Sequence, residues 1–134
     1  MIRKMRKEDL PFVKSLMQSI PLFWHEAWTD ETLERAFAAS EDLAFVYESN
    51  HQIVGSIFGY DLGFRAYIGG LAVSEKMRNQ GIGEKLLKNV EDVLKKRGCE
   101  LIIADIWKSV EPFYRKLGWE APQAVLMRKK LIEK

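Results

Sequence analysis

An apolar run, Ala66-Tyr67-Ile68-Gly69-Gly70-Leu71-Ala72-Val73, most constrains what this chain can fold into, because an amphipathic helix pattern comes soon after it. A polar spacer leads to Gly81 and Gly83, and Ile82, Leu86, Leu87, Val90 and Leu94 then recur on one helical face until Gly98. The run has the length of a strand, and the stripe has the 3.6-residue period of a helix closed by a glycine. A helix with one apolar face must bury it, and the preceding strand supplies a sheet to bury it on. The unit reads as strand, loop, helix and points to the α/β class.

The remaining segments fit that class. Ile2 to Arg6 alternates as a short strand, and Glu8-Asp9-Leu10-Pro11 opens a helix carrying Phe12, Val13, Leu16, Met17 and Ile20. Thr29 is placed to cap a short second helix bearing Leu33, Ala36 and Phe37. Leu43 to Tyr47 and Ile53 to Tyr60 form two strands around the turn Ser49-Asn50-His51-Gln52. Leu101-Ile102-Ile103-Ala104 is expected to be a strand buried on both faces. Ser109 is expected to cap a short helix ending before Gly118, and Ala124 to Met127 to form a last strand. No linker, repeat or low-complexity stretch interrupts the 134 residues, so one domain over residues 1–134 is expected.

Composition excludes several function classes. The 21 basic and 19 acidic residues are spread along the chain, which argues against a nucleic-acid partner. No run approaches the ~20 apolar residues that cross a bilayer, so no membrane partner is expected. The lone Cys99 permits no intramolecular disulfide, is read as a buried apolar residue, and suits a reducing compartment such as the cytoplasm. His25 and His51 lie far apart without metal-ligand spacing, so no metal is inferred.

Arg78-Asn79-Gln80-Gly81-Ile82-Gly83, continuing to Glu84, is the strongest candidate for a ligand site. A glycine-rich turn opening a helix lets backbone N–H groups converge on an anion, and Arg78 adds a permanent charge. Taken alone, the Gly-x-Gly pair is better read as a simple helix start. It matches neither the P-loop nor the Rossmann fingerprint, since Glu84-Lys85 comes after Gly83.

Together, Leu71-Ala72-Val73, Gln80-Gly81-Ile82-Gly83 and Leu86-Leu87 resemble motif A of the GNAT superfamily of N-acetyltransferases, R/Q-x-x-G-x-G/A. Phe113-Tyr114-Arg115-Lys116-Leu117-Gly118-Trp119 is similar to that family's F-Y-x-K-L-G-F segment. Ile2-Arg3 with Glu8-Asp9-Leu10 also resembles its opening strand and helix, so the likeness spans nearly the whole chain and is weakest from Pro21 to Asp42. The resemblance implies a single-domain GNAT-like fold: a mixed central sheet, mostly antiparallel with a splayed parallel pair, flanked by helices.

The same resemblance implies transfer of an acetyl group from acetyl-CoA directly to a primary amine of a small molecule or protein. Leu71, Ala72 and Val73 would pair with the pantetheine arm, with an amide near Leu71 or Ala72 facing the thioester oxygen, while Arg78 to Glu84 would hold the pyrophosphate. Tyr114 would contact the cofactor and protonate the departing thiolate, since a phenol with a pKa near ~10 keeps its proton at neutral pH. Phe23, Trp24 and Trp28, in the aromatic connector Pro21 to Trp28, together with Tyr67, would line the acceptor pocket. The chain departs from the family pattern twice. Tyr67 stands where many members place a catalytic Glu, leaving Glu26, His25, Asp61, Glu75 or a relayed water as the base. Trp107 replaces a frequent Asn, leaving Ser109 or Lys108 to bond the pantetheine arm. A non-catalytic acyl-CoA-binding module is the alternative, and the apolar last strand could pair across a homodimer.

Overall fold

A computed structural model describes residues 1–132, which fall into two compact units, Met1–Ala104 and a unit beginning at Asp105. In the first unit the order is β1 (Ile2–Lys4), α1 (Leu10–Ser19), α2 (Asp30–Ser40), β2 (Ala44–Ser49), β3 (Gln52–Asp61), β4 (Ala66–Val73), α3 (Ile82–Lys96) and β5 (Ile102–Ala104). The second unit holds α4 (Glu111–Lys116), entered through a short 3-10 turn. The sheet has the order β1-β2-β3-β4-β5, antiparallel from β1 to β4 and parallel between β4 and β5.

Two layers pack on the sheet. Val13, Leu16 and Met17 of α1 and Leu33 of α2 share a buried cluster with Val46, Phe58 and Ala72. On the opposite face Ile82, Leu86, Leu87, Val90 and Leu94 of α3 are all buried, the full stripe read from the sequence. Gly55 and Gly59 let α3 approach closely: a Cβ on them would lie 2.9 Å from Ile82 Cγ2 and 2.8 Å from Val90 Cγ1. The spacing of the apolar residues gave no sign of that contact.

Local signals explain most element ends. Asn50 and His51, with φ of 51° and 64°, make the two-residue turn that joins β2 to β3 with the twist a hairpin needs. Thr29 Oγ1 accepts the Thr32 N–H at 3.3 Å while Thr32 Oγ1 accepts the Thr29 N–H at 3.0 Å, a reciprocal cap on α2. The Cys99 N–H bonds the Leu94 carbonyl and the Gly98 N–H the Lys95 carbonyl, both at 3.0 Å, closing α3. Asp9 does more than begin a helix: its carboxylate takes Arg3 bidentately at 2.8 and 2.9 Å and the Arg6 N–H at 2.7 Å. Arg3 Nε also donates to Glu48 at 2.8 Å, so β1, the entry to α1 and β2 are fastened together.

Four expectations need correction. Ala124 to Met127 is not a strand; Val125 and Met127 are 82% and 84% exposed, and the segment pairs with no strand among the described residues. Apolar composition alone does not make a strand, because its backbone groups need a partner edge. Ser109 does not cap α4, whose N-cap is Val110 without any side-chain bond, because a 3-10 turn over Lys108–Val110 carries the chain into the helix. β5 is half-buried, and its neighbour Leu101 is exposed, because β5 is the sheet's edge rather than an interior strand. Cys99 is half-buried, with its thiol directed at the Leu101 carbonyl at 3.4 Å.

Candidate functional site

The site is built on the C-terminal half of β4. Parallel pairing with β5 covers only Ala66, Tyr67 and Ile68, so Gly69–Val73 run on with no β5 partner among the described residues. On the other side the register slips between Ser56 and Phe58, leaving Gly70 and Leu71 opposite Ile57. Such a bulge re-aims the backbone of its strand. Gly70 supplies it with a φ of +63°, and a Cβ there would lie 2.7 Å from Phe58 Cδ2. Conformation and space therefore both require glycine. Past the bulge, Leu71 and Val73 are half-buried and Ala72 is buried.

β4 leads through a 3-10 turn over Glu75–Met77 to the start of α3. Asn79 and Gly81 both hold left-handed backbone, with φ of 65° and 78°, and no side chain caps the helix. Its first-turn N–H groups point along the axis where a helix dipole favours an anion. Ile82 is buried and anchors the turn, while Arg78, Asn79, Gln80, Gly81 and Glu84 are exposed around it and Gly83 is half-buried. An exposed guanidinium beside uncapped amides is the donor chemistry a pyrophosphate requires.

The face of β4 turned toward α1 and α2 is aromatic. Tyr60 and Tyr67 are register partners with ring centroids 6.2 Å apart, tilted by 37°. Burial pushes the Tyr60 phenol up to about 12. Phe23, Trp24 and Tyr60 all pack against the cluster that contains Phe58 and Ala72. Trp24 and Trp28 meet edge to face at 5.4 Å, and Lys14 Nζ sits 5.6 Å above the Trp24 ring while bonding Asp30 at 2.7 Å. In the second unit Tyr114 is buried, its ring edge-to-face with both Phe113 and Trp119 at 5.2 Å.

Residues 12–119 match the acetyltransferase (GNAT) family. The chain belongs to the GNAT acetyltransferase family. Acetyltransferase ECA0875 of Pectobacterium atrosepticum is 32% identical, the match covering 98% of this chain and 96% of that protein. Among solved structures, a predicted acetyltransferase with acetyl-CoA from Clostridium acetobutylicum superposes with a TM-score of 0.78 at 21% identity, over 96% of this chain and 95% of that one. Glucosamine-6-phosphate N-acetyltransferase from Arabidopsis thaliana superposes with a TM-score of 0.72 at 24% identity, over 98% of each chain. At these identities the structural likeness concerns the fold.

Within this GNAT chain, the structure brings Leu71–Val73 and Arg78–Glu84 into one continuous strand, turn and helix start. It puts Phe23, Trp24 and Tyr67 on the α1/α2 side of β4 with Tyr60, while Trp28 is 41% exposed. Ser109 is exposed on the 3-10 turn before α4. Two base candidates are already engaged. Asp61 pairs with Arg97 at 3.4 Å and accepts the Gly63 N–H at 3.0 Å. His25 Nδ1 accepts the Ala27 N–H at 3.1 Å, so its neutral ring carries the proton on Nε2 and has no lone pair left for an amine. Asp30 is bound to Lys14, so it serves the α1–α2 contact. The placing of Tyr60 beside Tyr67 was not legible in the sequence. The signal that could have found Tyr60 is the register set by the Asn50-His51 turn and the Asp61-to-Arg65 hairpin, which pairs it with Tyr67.

Proposed function

We propose that this chain is an acetyl-CoA-dependent N-acetyltransferase acting, as one domain over residues 1–134 and in the cytoplasm, on a primary amine of a small molecule or protein. The observation that carries the proposal is the bulged, half-unpaired β4 running directly into an uncapped helix N-terminus beside Arg78. An extended amide-bearing arm finds backbone partners along Gly69–Val73, and a pyrophosphate finds amides and a guanidinium at Arg78–Glu84. The residues present therefore fit acetyl-CoA.

The reaction needs a neutral amine, a polarised carbonyl and a protonated leaving thiolate. The amine nitrogen bonds to the acetyl carbon, the carbon–sulfur bond breaks, and the amine loses one proton while the sulfur gains one. A backbone N–H at Leu71 or Ala72, aimed by the Gly70 bulge, stabilises the carbonyl oxygen. Tyr114 is assigned the proton donor on its match to the family's tyrosine. Glu26 and Glu75 are both exposed, and they or a water relayed by them take the amine proton, since Asp61 and His25 are committed elsewhere.

The test is a thiol-release assay with acetyl-CoA against a broad amine panel. At least one amine should release CoA, and Tyr114→Phe should lower kcat about a hundredfold with little change in acetyl-CoA affinity. Acetyl-CoA binding without release across the panel would remove the catalytic reading, and unchanged turnover by Tyr114→Phe would remove that residue's role.

A further inference from the structure

Among the described residues, the buried polar or charged side chains are Asp9, Ser40 and Ser56. Two of them have local duties: Asp9 fastens Arg3, and Ser40 Oγ donates to the Phe37 carbonyl at 2.8 Å where α2 ends. Ser56 instead lies in the middle of β3, fully covered, among the buried Val54, Ile57 and Phe58. Alanine would pack there without the cost of burying a hydroxyl. The hydroxyl has one partner among the described residues, donating to the Gly70 carbonyl at 3.4 Å.

That carbonyl belongs to the bulge of β4. Ser56 is the register partner of Ala72, and the pairing slips between Ser56 and Phe58. Gly55 faces α3, so the next side chain, Ser56, stands on the α1/α2 face with Ala72. The Gly70 carbonyl and the Leu71 N–H are two ends of one trans peptide plane and point in opposite directions. Holding the oxygen toward Ser56 therefore turns the Leu71 N–H away from β3. The ladder gives the same direction. The Ser74 N–H bonds the Val54 carbonyl at 2.8 Å, and residues that face the partner strand alternate with residues that face away. Ser74 and Ala72 thus turn their backbone groups to β3, while Leu71 and Val73 turn theirs to the side where β5 pairs no further than Ile68.

We propose that Ser56 is a positioning residue for acetyl transfer: its hydroxyl holds the Gly70 carbonyl and so aims the Leu71 N–H at the thioester oxygen. The inference rests on the transferase activity proposed for the chain, and it selects Leu71 over Ala72 as the donor. As the amine attacks, the carbonyl oxygen gains negative charge, and a donor fixed beforehand stabilises that charge without reorganising. At 3.4 Å the Ser56 bond is longer than the ~2.8 Å usual for a hydroxyl, so it steers the peptide plane rather than locking it. Its loss should cost about tenfold in rate, less than the loss of an oxyanion donor itself, about a hundredfold or more.

The test uses the full chain, the fastest amine of the thiol-release panel, and acetyl-CoA labelled with carbon-13 at the thioester carbonyl. Ser56→Ala should lower kcat about tenfold while the acetyl-CoA dissociation constant stays near that of the wild type. In isotope-edited infrared spectra the carbonyl band of the bound thioester should move back toward that of free acetyl-CoA, a signature that loss of packing alone would not give. Ser56→Cys nearly keeps the volume but offers only a weak donor. It should shift kcat and the band in the same directions, and it keeps the proposal testable should Ser56→Ala fold poorly. An unchanged kcat, an unmoved carbonyl band, or a loss confined to acetyl-CoA affinity would each overturn the role of Ser56 while leaving the transferase reading intact. A wild type that transfers to no amine would remove both.

Discussion

Replacing Gly70 by alanine probes the bulge on which the site geometry depends. The substitution asks an L-residue to hold a φ of +63°, at a cost of about 1–2 kcal/mol. It also drives a Cβ to 2.7 Å from Phe58 Cδ2 and 3.3 Å from Met17 Cε. Phe58 and Met17 are 2% and 4% exposed, so neither can retreat into solvent, and overpacking of this kind costs about 1–3 kcal/mol. Stiffening of the unfolded chain returns about 0.4–1 kcal/mol. The net expectation is a loss of about 2–4 kcal/mol, read as a lower urea midpoint at unchanged slope. Gly69→Ala is the internal control, because its backbone lies outside the left-handed region and its Cβ would come no nearer than 3.3 Å to the Tyr67 ring, so it should cost less than about 1 kcal/mol. Equal losses at the two positions would refute the argument, since they would show that the left-handed backbone and the Phe58 contact contribute nothing special.

Three further outcomes are expected. Asp9→Asn should destabilise by about 2–3 kcal/mol, because it breaks a bidentate pair with Arg3 at a carboxylate whose side chain is only 7% exposed. The Arg3 hydrogen bonds hold the Asp9 carboxyl below its usual range, so its contribution is complete above the unfolded value near pH ~3.9 and fades as pH falls through the lower folded value. Acid unfolding of Asp9→Asn should therefore be shallower than that of the wild type. Arg78→Ala should raise the acetyl-CoA KM about tenfold and weaken its salt dependence, with unfolding unchanged because the side chain is exposed. Absorbance titration should find Tyr60 ionising about two pH units above a free phenol, at about 12, and stability should fall as pH rises from about 10 through that value. A tyrosine set titrating entirely near pH ~10 would contradict the buried placement of Tyr60.

Family membership and the ends of most elements leave local marks. The helix stripe from Ile82 to Leu94, the Asn50-His51 turn, the Thr29 cap and the Gly81 turn each act over a few residues, and each formed where the spacing predicted. The sequence by itself therefore determined the elements of the first unit, the glycine turn that opens α3 and membership of the GNAT acetyltransferase family.

What it could not determine depends on contacts between residues far apart in the chain. Arg3, Asp9 and Glu48 meet only once β1 and β2 pair, so their ion triad is invisible as a motif. Ala124 to Met127 has a strand's composition but no partner edge, a condition no local pattern carries. Gly69 and Gly70 are neighbours of the same residue type, yet only the register against β3 separates them. There Gly70 takes left-handed backbone against the Phe58 ring and bends the strand, while Gly69, the register partner of Phe58, faces two tyrosine rings. Side-chain direction in a sheet alternates and a bulge resets it, so which face a residue joins is decided by pairing, and pairing is tertiary.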